Sequence, residues 1–183
     1  MLNIQLEWTP NPSTLKYVLD RKVLPYGALN LTSREEAAAK SPLALKVMEV
    51  KGITAVMLGT NFVTITKGPE GEWDDVNDAV MAALEAFDAS GQPSVHEGAL
   101  VRPSPEGASE AEQKIRHLLE TEIRPAVAAD GGDITLSRYE GGVAYMHMQG
   151  SCAGCPSSQL TLKQGIESRL REIVPDLVEV VPV

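Results

Sequence analysis

Aromatic residues make up only 4% of this 183-residue chain, so its cores must be built mainly from Leu, Ile, Val, Met and Ala. Positive charge is also short. The chain has 16 Lys and Arg against 25 Asp and Glu, a formal net charge of -9, which excludes the basic footprint of a general nucleic-acid binder. No stretch is long and apolar enough to span a bilayer, so no membrane partner is expected. No basic residue precedes Lys16, and the first residues read as neither a secretory nor a transit signal. The expectation is a cytoplasmic protein. Cysteine is scarce as well: there are two, Cys152 and Cys155. A disulfide-stapled secreted fold spreads its cysteines to close long loops. A lone C-x-x-C in a reducing compartment points to metal, cluster or redox chemistry.

What is present is a globular pattern in two halves, with 43% hydrophobic and 22% charged residues. Ile4, Leu6 and Trp8 alternate with polar residues as in a half-buried strand, and Leu15, Tyr17 and Leu19 repeat the pattern. Ser41-Pro42 has the form of a cap opening a helix that Gly52 ends. Strands are expected over Ile53–Leu58 and Phe62–Thr66, then a helix with Val76, Val80, Leu84 and Phe87 on one face, stopped by Gly91. Residues 91–108 are rich in Gly, Pro and Ser and read as a flexible linker, with Val95, Leu100 and Val101 leaving open a loop packed on one domain.

After residue 108, Ser109-Glu110-Ala111-Glu112 has the spacing of a capping box. Ile115, Leu118, Leu119 and Ile123 give that helix its apolar stripe, which Pro125 kinks or restarts. Asp130-Gly131-Gly132 breaks the chain before strands over Ile134–Arg138 and Val143–Gln149. A helix from about Ser157 carries Leu162, Ile166, Leu170 and Ile173 on one face, and Leu177–Val181 closes as a strand. The fold class is therefore α+β: two small α+β domains, residues 1–90 and 109–183, joined by the linker 91–108.

Cys152-Ala153-Gly154-Cys155 directly precedes the last helix, whose positive N-terminal end favours thiolate over thiol. Ala153-Gly154 lets the backbone turn tightly enough for both sulfurs to reach one centre. An iron–sulfur cluster usually takes four thiolates, and one chain supplies two, so a symmetric homodimer would complete the set. A shared zinc site is equally allowed by the donors. A thiol–disulfide oxidoreductase, with Cys152 attacking and Cys155 resolving, also places C-x-x-C at a helix start. That fold needs more chain after the motif than the 28 residues left here. From the motif alone all three readings stay open. Each treats the cysteines as loop residues that contribute little to a core.

The wider segment narrows them. Ile123-Arg124-Pro125, Asp130-Gly131-Gly132-Asp133, Gly150-Ser151-Cys152 through Cys155-Pro156-Ser157-Ser158, and Thr161-Leu162-Lys163-Gln164-Gly165-Ile166-Glu167 resemble the C-terminal domain of NifU found in Nfu-type proteins. Thr9-Pro10-Asn11-Pro12 with Lys16, Ser41-Pro42-Leu43-Ala44, and Gly52-Ile53 leading to Phe62–Lys67 resemble the N-terminal domain of the same proteins. The resemblance implies a scaffold and carrier, not an enzyme. It would hold a [4Fe–4S] cluster between two subunits through Cys152 and Cys155. It would take clusters from upstream assembly machinery and pass them to apo iron–sulfur proteins.

Other residues compete for attention. His147 stands five residues before Cys152, but strand alternation puts it on the solvent side, opposite Ala144, Met146 and Met148. His96 and His117 have no ligand partner at local spacing. Asp130-Gly131-Gly132-Asp133 reads as a turn into a strand and a candidate for shaping the dimer surface. The acidic run Glu70 to Asp75 suits a helix N-terminus. No Ser-His-Asp order, paired catalytic carboxylates or phosphate-binding glycine loop stands out.

Overall fold

The computed structural model describes residues 2–100, 107–154 and 156–183. The chain forms two compact units, Met1–Val101 and Arg102–Val183. Both are α+β.

The first unit runs β1 (Ile4–Trp8), β2 (Thr14–Leu19), β3 (Leu29–Leu31), α1 (Arg34–Lys40), α2 (Pro42–Met48), β4 (Ile53–Leu58), β5 (Phe62–Lys67) and α3 (Trp73–Ser90). Its five strands pair antiparallel in the order β1-β2-β5-β4-β3. The core is mainly aliphatic, as the scarcity of rings requires: Leu15, Val47, Val56, Ile65, Val80 and Leu84 are buried with Tyr17, and Trp73 and Phe87 pack against them. Ser41 caps α2 by accepting from the Ala44 N–H at 3.0 Å. Gly91 ends α3 in the left-handed conformation at φ 67°. Two elements escaped the sequence reading, the short edge strand β3 and the helix α1.

The first ten residues of the expected linker lie against this unit. The Ser41 hydroxyl donates to the Ser94 carbonyl at 2.6 Å, and the His96 N–H donates to the Lys40 carbonyl at 2.8 Å. Val95 and Leu100 pack on the first core. Residues 101–106, the middle of that expected linker, lie outside the described residues.

The second unit runs α4 (Glu110–Leu118), a π-helical turn (Leu119–Ile123), α5 (Arg124–Ala129), β6 (Gly132–Glu140), β7 (Val143–Gly150), α6 (Pro156–Ile173) and β8 (Glu179–Pro182). The capping box is formed as expected, with Ser109 Oγ accepting from the Glu112 N–H and Glu112 from the Ser109 N–H. Pro125 explains the π turn. Its ring crowds the carbonyl four residues back, at Thr121, and it has no N–H to give. Widening the turn, with the Arg124 N–H bonding to the Leu119 carbonyl, absorbs both effects.

β6 and β7 pair antiparallel from Gly132↔Gly150 to Glu140↔Val143. β8 then lies parallel to β7, so α6 is the crossover helix between them. Ile115, Leu119, Ile134, Met146, Ile166 and Leu170 form the second core. The C-x-x-C falls where β7 leaves the sheet for α6, at the end where β6 begins.

Candidate functional site

The pairing of Gly132 with Gly150 brings the Asp130–Asp133 loop against the turn that carries Cys152. The Ser151 N–H donates to the Gly131 carbonyl at 3.2 Å, and its hydroxyl donates to the Asp130 carbonyl. Gly131 sits at φ 76°, a conformation that costs other residues strain. Gly132 is required for a different reason. A Cβ built on it would lie 2.3 Å from Cys152 Sγ and 3.1 Å from Val127 Cγ1. The thiol is seated directly on the face of this glycine.

Asp133 anchors the loop from the other side. Its two carboxylate oxygens accept from Arg124 Nε at 2.7 Å and Nη2 at 3.0 Å, a bidentate pair. The side chains are 6% and 17% exposed. Burial opposes the Arg124 charge, but Asp133 and Glu120 outweigh it and raise its pKa. Ile123-Arg124-Pro125, the Asp-Gly-Gly-Asp loop and the cysteine turn, far apart in sequence, thus converge on one place. In the sequence the loop reads as a turn and the cysteines as ligands, with nothing to join them. Their spacing carried no sign that Gly132 and the Arg124–Asp133 pair frame the thiol.

Cys152 itself is buried at 7% exposure and belongs to the second core. Here the structure differs from the expectation of a thiolate-favouring loop cysteine that contributes little to a core. Burial pushes its pKa up to about 11, the Ser151 hydrogen bond opposes this, and the Asp130 and Asp133 charges add to it. Cys152 precedes α6 by a full turn, where a helix dipole is weak, so desolvation wins. A buried neutral thiol is a poor attacking nucleophile. Ala153 and Gly154 are exposed immediately after it. A Cβ on Gly154 would meet nothing within 4 Å, and its φ of 80° gives the tight turn anticipated there.

Cys155, the second expected ligand, lies outside the described residues. His147 is exposed, with Nδ1 at 3.2 Å from the Val183 carbonyl, on the solvent side as strand alternation required. Among the described residues no three His, Cys, Asp or Glu side chains gather as a metal site. No helix among them is long and apolar enough to cross a membrane.

Two family models match the chain. Residues 4–91 match the scaffold protein Nfu/NifU N-terminal domain, and residues 115–181 match the NifU-like domain. A Drosophila grimshawi protein named as a mitochondrial NFU1 iron-sulfur cluster scaffold homolog is 41% identical over 179 residues, covering 95% of this chain and 59% of the relative. The mitochondrial NifU-like protein 4 of Arabidopsis thaliana is 39% identical over 180 residues, covering 95% of this chain and 63% of the relative. The chain therefore spans about three fifths of the length of these curated relatives. Their names place them in mitochondria and give the cytoplasmic expectation no support. A solved NifU-like protein from Saccharomyces cerevisiae aligns with TM-score 0.47 and 20% identity, over 53% of this chain and 87% of that one. With both domain models matched in order, and relatives of this identity along nearly all of its length, the chain belongs to the Nfu family of iron–sulfur cluster scaffold proteins.

Proposed function

We propose that two copies of this protein carry one [4Fe–4S] cluster as cargo between them, each giving Cys152 and Cys155. The proposed organisation is an Nfu-type domain over residues 1–90, a linker over 91–108 whose first ten residues lie back on that domain, and a cluster-binding domain over 109–183. The observation that carries the reading is the convergence on Cys152 of three segments within the NifU-like match. Two thiols per chain leave a cluster half-liganded, so a second copy completes the four.

Delivery is then a ligand exchange without electron transfer. Each iron–sulfur bond to this protein breaks as one to an acceptor cysteine forms. The acceptor thiol loses a proton, and the departing cysteine takes one up. The carrier exchanges only its own iron–thiolate bonds and turns over no substrate, which makes it a scaffold and not an enzyme. Its donors are upstream assembly machinery and its acceptors apo iron–sulfur proteins. The site requires a compartment that keeps thiols reduced. The mitochondrial names of the relatives make mitochondria the first place to look for the protein.

Anaerobic reconstitution followed by iron, sulfide and zinc analysis tests the reading. About two irons and two sulfides per subunit are expected, with a dimer by light scattering, from the four-thiolate rule. Cys152→Ser and Cys155→Ser should each lose the cluster and the cluster-dependent dimer. Stoichiometric zinc without iron would replace this reading with a zinc-stabilised module. Disulfide turnover that needs only one of the two cysteines would replace it with a redox enzyme.

A further inference from the structure

The Cys152 thiol points into the protein. It is buried at 7% exposure among core residues and rests on Gly132, where no side chain fits beside it. One residue later the backbone is in solvent. A cluster shared between two copies has to be met outside the core, so this sulfur is not presented in the arrangement described here. Core packing holds it inward, Gln159 of α6 donates to the Cys152 carbonyl at 3.5 Å, and the rest of the hold comes from one loop. Ser151 is tied to Gly131 and Asp130, and the loop itself is pinned by the two-point Asp133–Arg124 pair. The π turn ends at Ile123, so the register shift it introduces falls directly before Arg124.

We propose that the Asp130–Asp133 loop, pinned by Arg124, is a latch that seats the Cys152 thiol inward on Gly132 until a cluster arrives, with Gly132, Asp133 and Arg124 acting as positioning residues. Opening needs the short turn from Ser151 to Gly154 to roll outward about Gly150, and Gly150 and Gly154 both already sit at positive φ. The strands stay paired. In the closed state the latch shields one of the protein's two thiols from oxidants and stray metals. The purpose of the latch rests on the carrier reading, while the seat itself does not.

The test is site-resolved alkylation of the full-length, reduced, cluster-free protein. Iodoacetamide pulses are followed by mass spectrometry of the Cys152 and Cys155 peptides. Native wild type should label at Cys152 at least about tenfold more slowly than the same protein in urea, as for a group reached only through local opening. Gly132→Ala drives a methyl group into the sulfur position and should remove most of that protection. Asp133→Asn, which keeps the shape and loses the charge, should remove part of it with the far-UV circular dichroism unchanged. Should Gly132→Ala not fold, Asp133→Asn decides alone. The latch is overturned if native Cys152 labels as fast as in urea, or if the folded variants keep wild-type protection. Iron uptake by wild type is measured in parallel. Protection without iron uptake sinks the carrier reading and leaves the seat, and full uptake without protection does the reverse.

Discussion

At the scale of single residues, the ligand role proposed for Cys152 pulls against its place in the structure. A cluster ligand has to be reachable, yet this thiol fills part of a small core. Replacing it therefore tests more than ligation. Cys152→Ser puts a smaller and more polar hydroxyl into a seat packed by core residues, where Ser151 offers it one hydrogen bond, and it should lower the stability of the second unit by about 1 kcal/mol through lost packing and desolvation. Cys152→Ala should cost less. Urea unfolding of the cluster-free variants measures both, and an unchanged midpoint for Ser would show that the sulfur leaves the core in solution. Loss of the cluster in Cys152→Ser counts as loss of a ligand only where circular dichroism shows the variant folded. The Arg124–Asp133 pair gives a second prediction. Arg124→Ala leaves a buried carboxylate without its cation, a change that typically costs about 3–5 kcal/mol when a buried pair is broken. Truncating both partners together should cost clearly less than the sum of the single changes, as measured by a double-mutant cycle.

At the scale of elements, caps and breaks carry the local logic. Ser109→Ala removes one half of the capping box that opens α4 and should destabilise the second unit by about 1 kcal/mol, read as a lower urea midpoint. The helix α1 opens on the same spacing, Ser33-Arg34-Glu35-Glu36. Ser33 Oγ accepts from the Glu36 N–H, and the Glu36 carboxylate accepts from the Thr32 N–H. That signal was present in the sequence, but α1 has only seven residues and one buried side chain, Ala37. It shows no apolar stripe to support the cap. β3 is shorter still, three residues on the sheet edge. Pro125 was legible as a disturbance. That it would be absorbed by a π turn was decided by packing, because Leu119 and Ile123 both had to remain in the core.

At the scale of the whole molecule, each unit has a core of its own among the described residues, and the two should behave as separate cooperative units. Leu170→Ala, at a fully buried position of α6, should destabilise the second unit by about 2–5 kcal/mol. The first unit's transition should stay in place. Leu84→Ala on α3 should do the reverse. Residue-resolved hydrogen exchange on the intact chain separates the two effects. A single transition shifted by both changes would show that the halves fold as one. Residues 107–183 expressed alone should fold, though a domain of this size is marginal by surface-to-volume scaling. The docking of Val95 and Leu100 on the first core argues for ending a first-domain fragment after residue 100 and not at residue 90.

The sequence by itself determined the division into halves, most of the strands and helices, and the cysteine pair. Alternation, caps, glycine stops and the C-x-x-C all act within a few residues of one another. Strand β4 begins and ends where its apolar run does, at Ile53 and Leu58. His147 faces solvent because its strand position requires it. Tertiary structure decided what local pattern does not encode. Gly132 is a glycine because a sulfur twenty residues later occupies the space of its side chain. Asp133 matters because a turn of helix nine residues earlier delivers Arg124 to it. The protonation of Cys152 followed burial and not its nearness to a helix, since desolvation depends on everything packed around a group, and the chain reveals that only once it is folded.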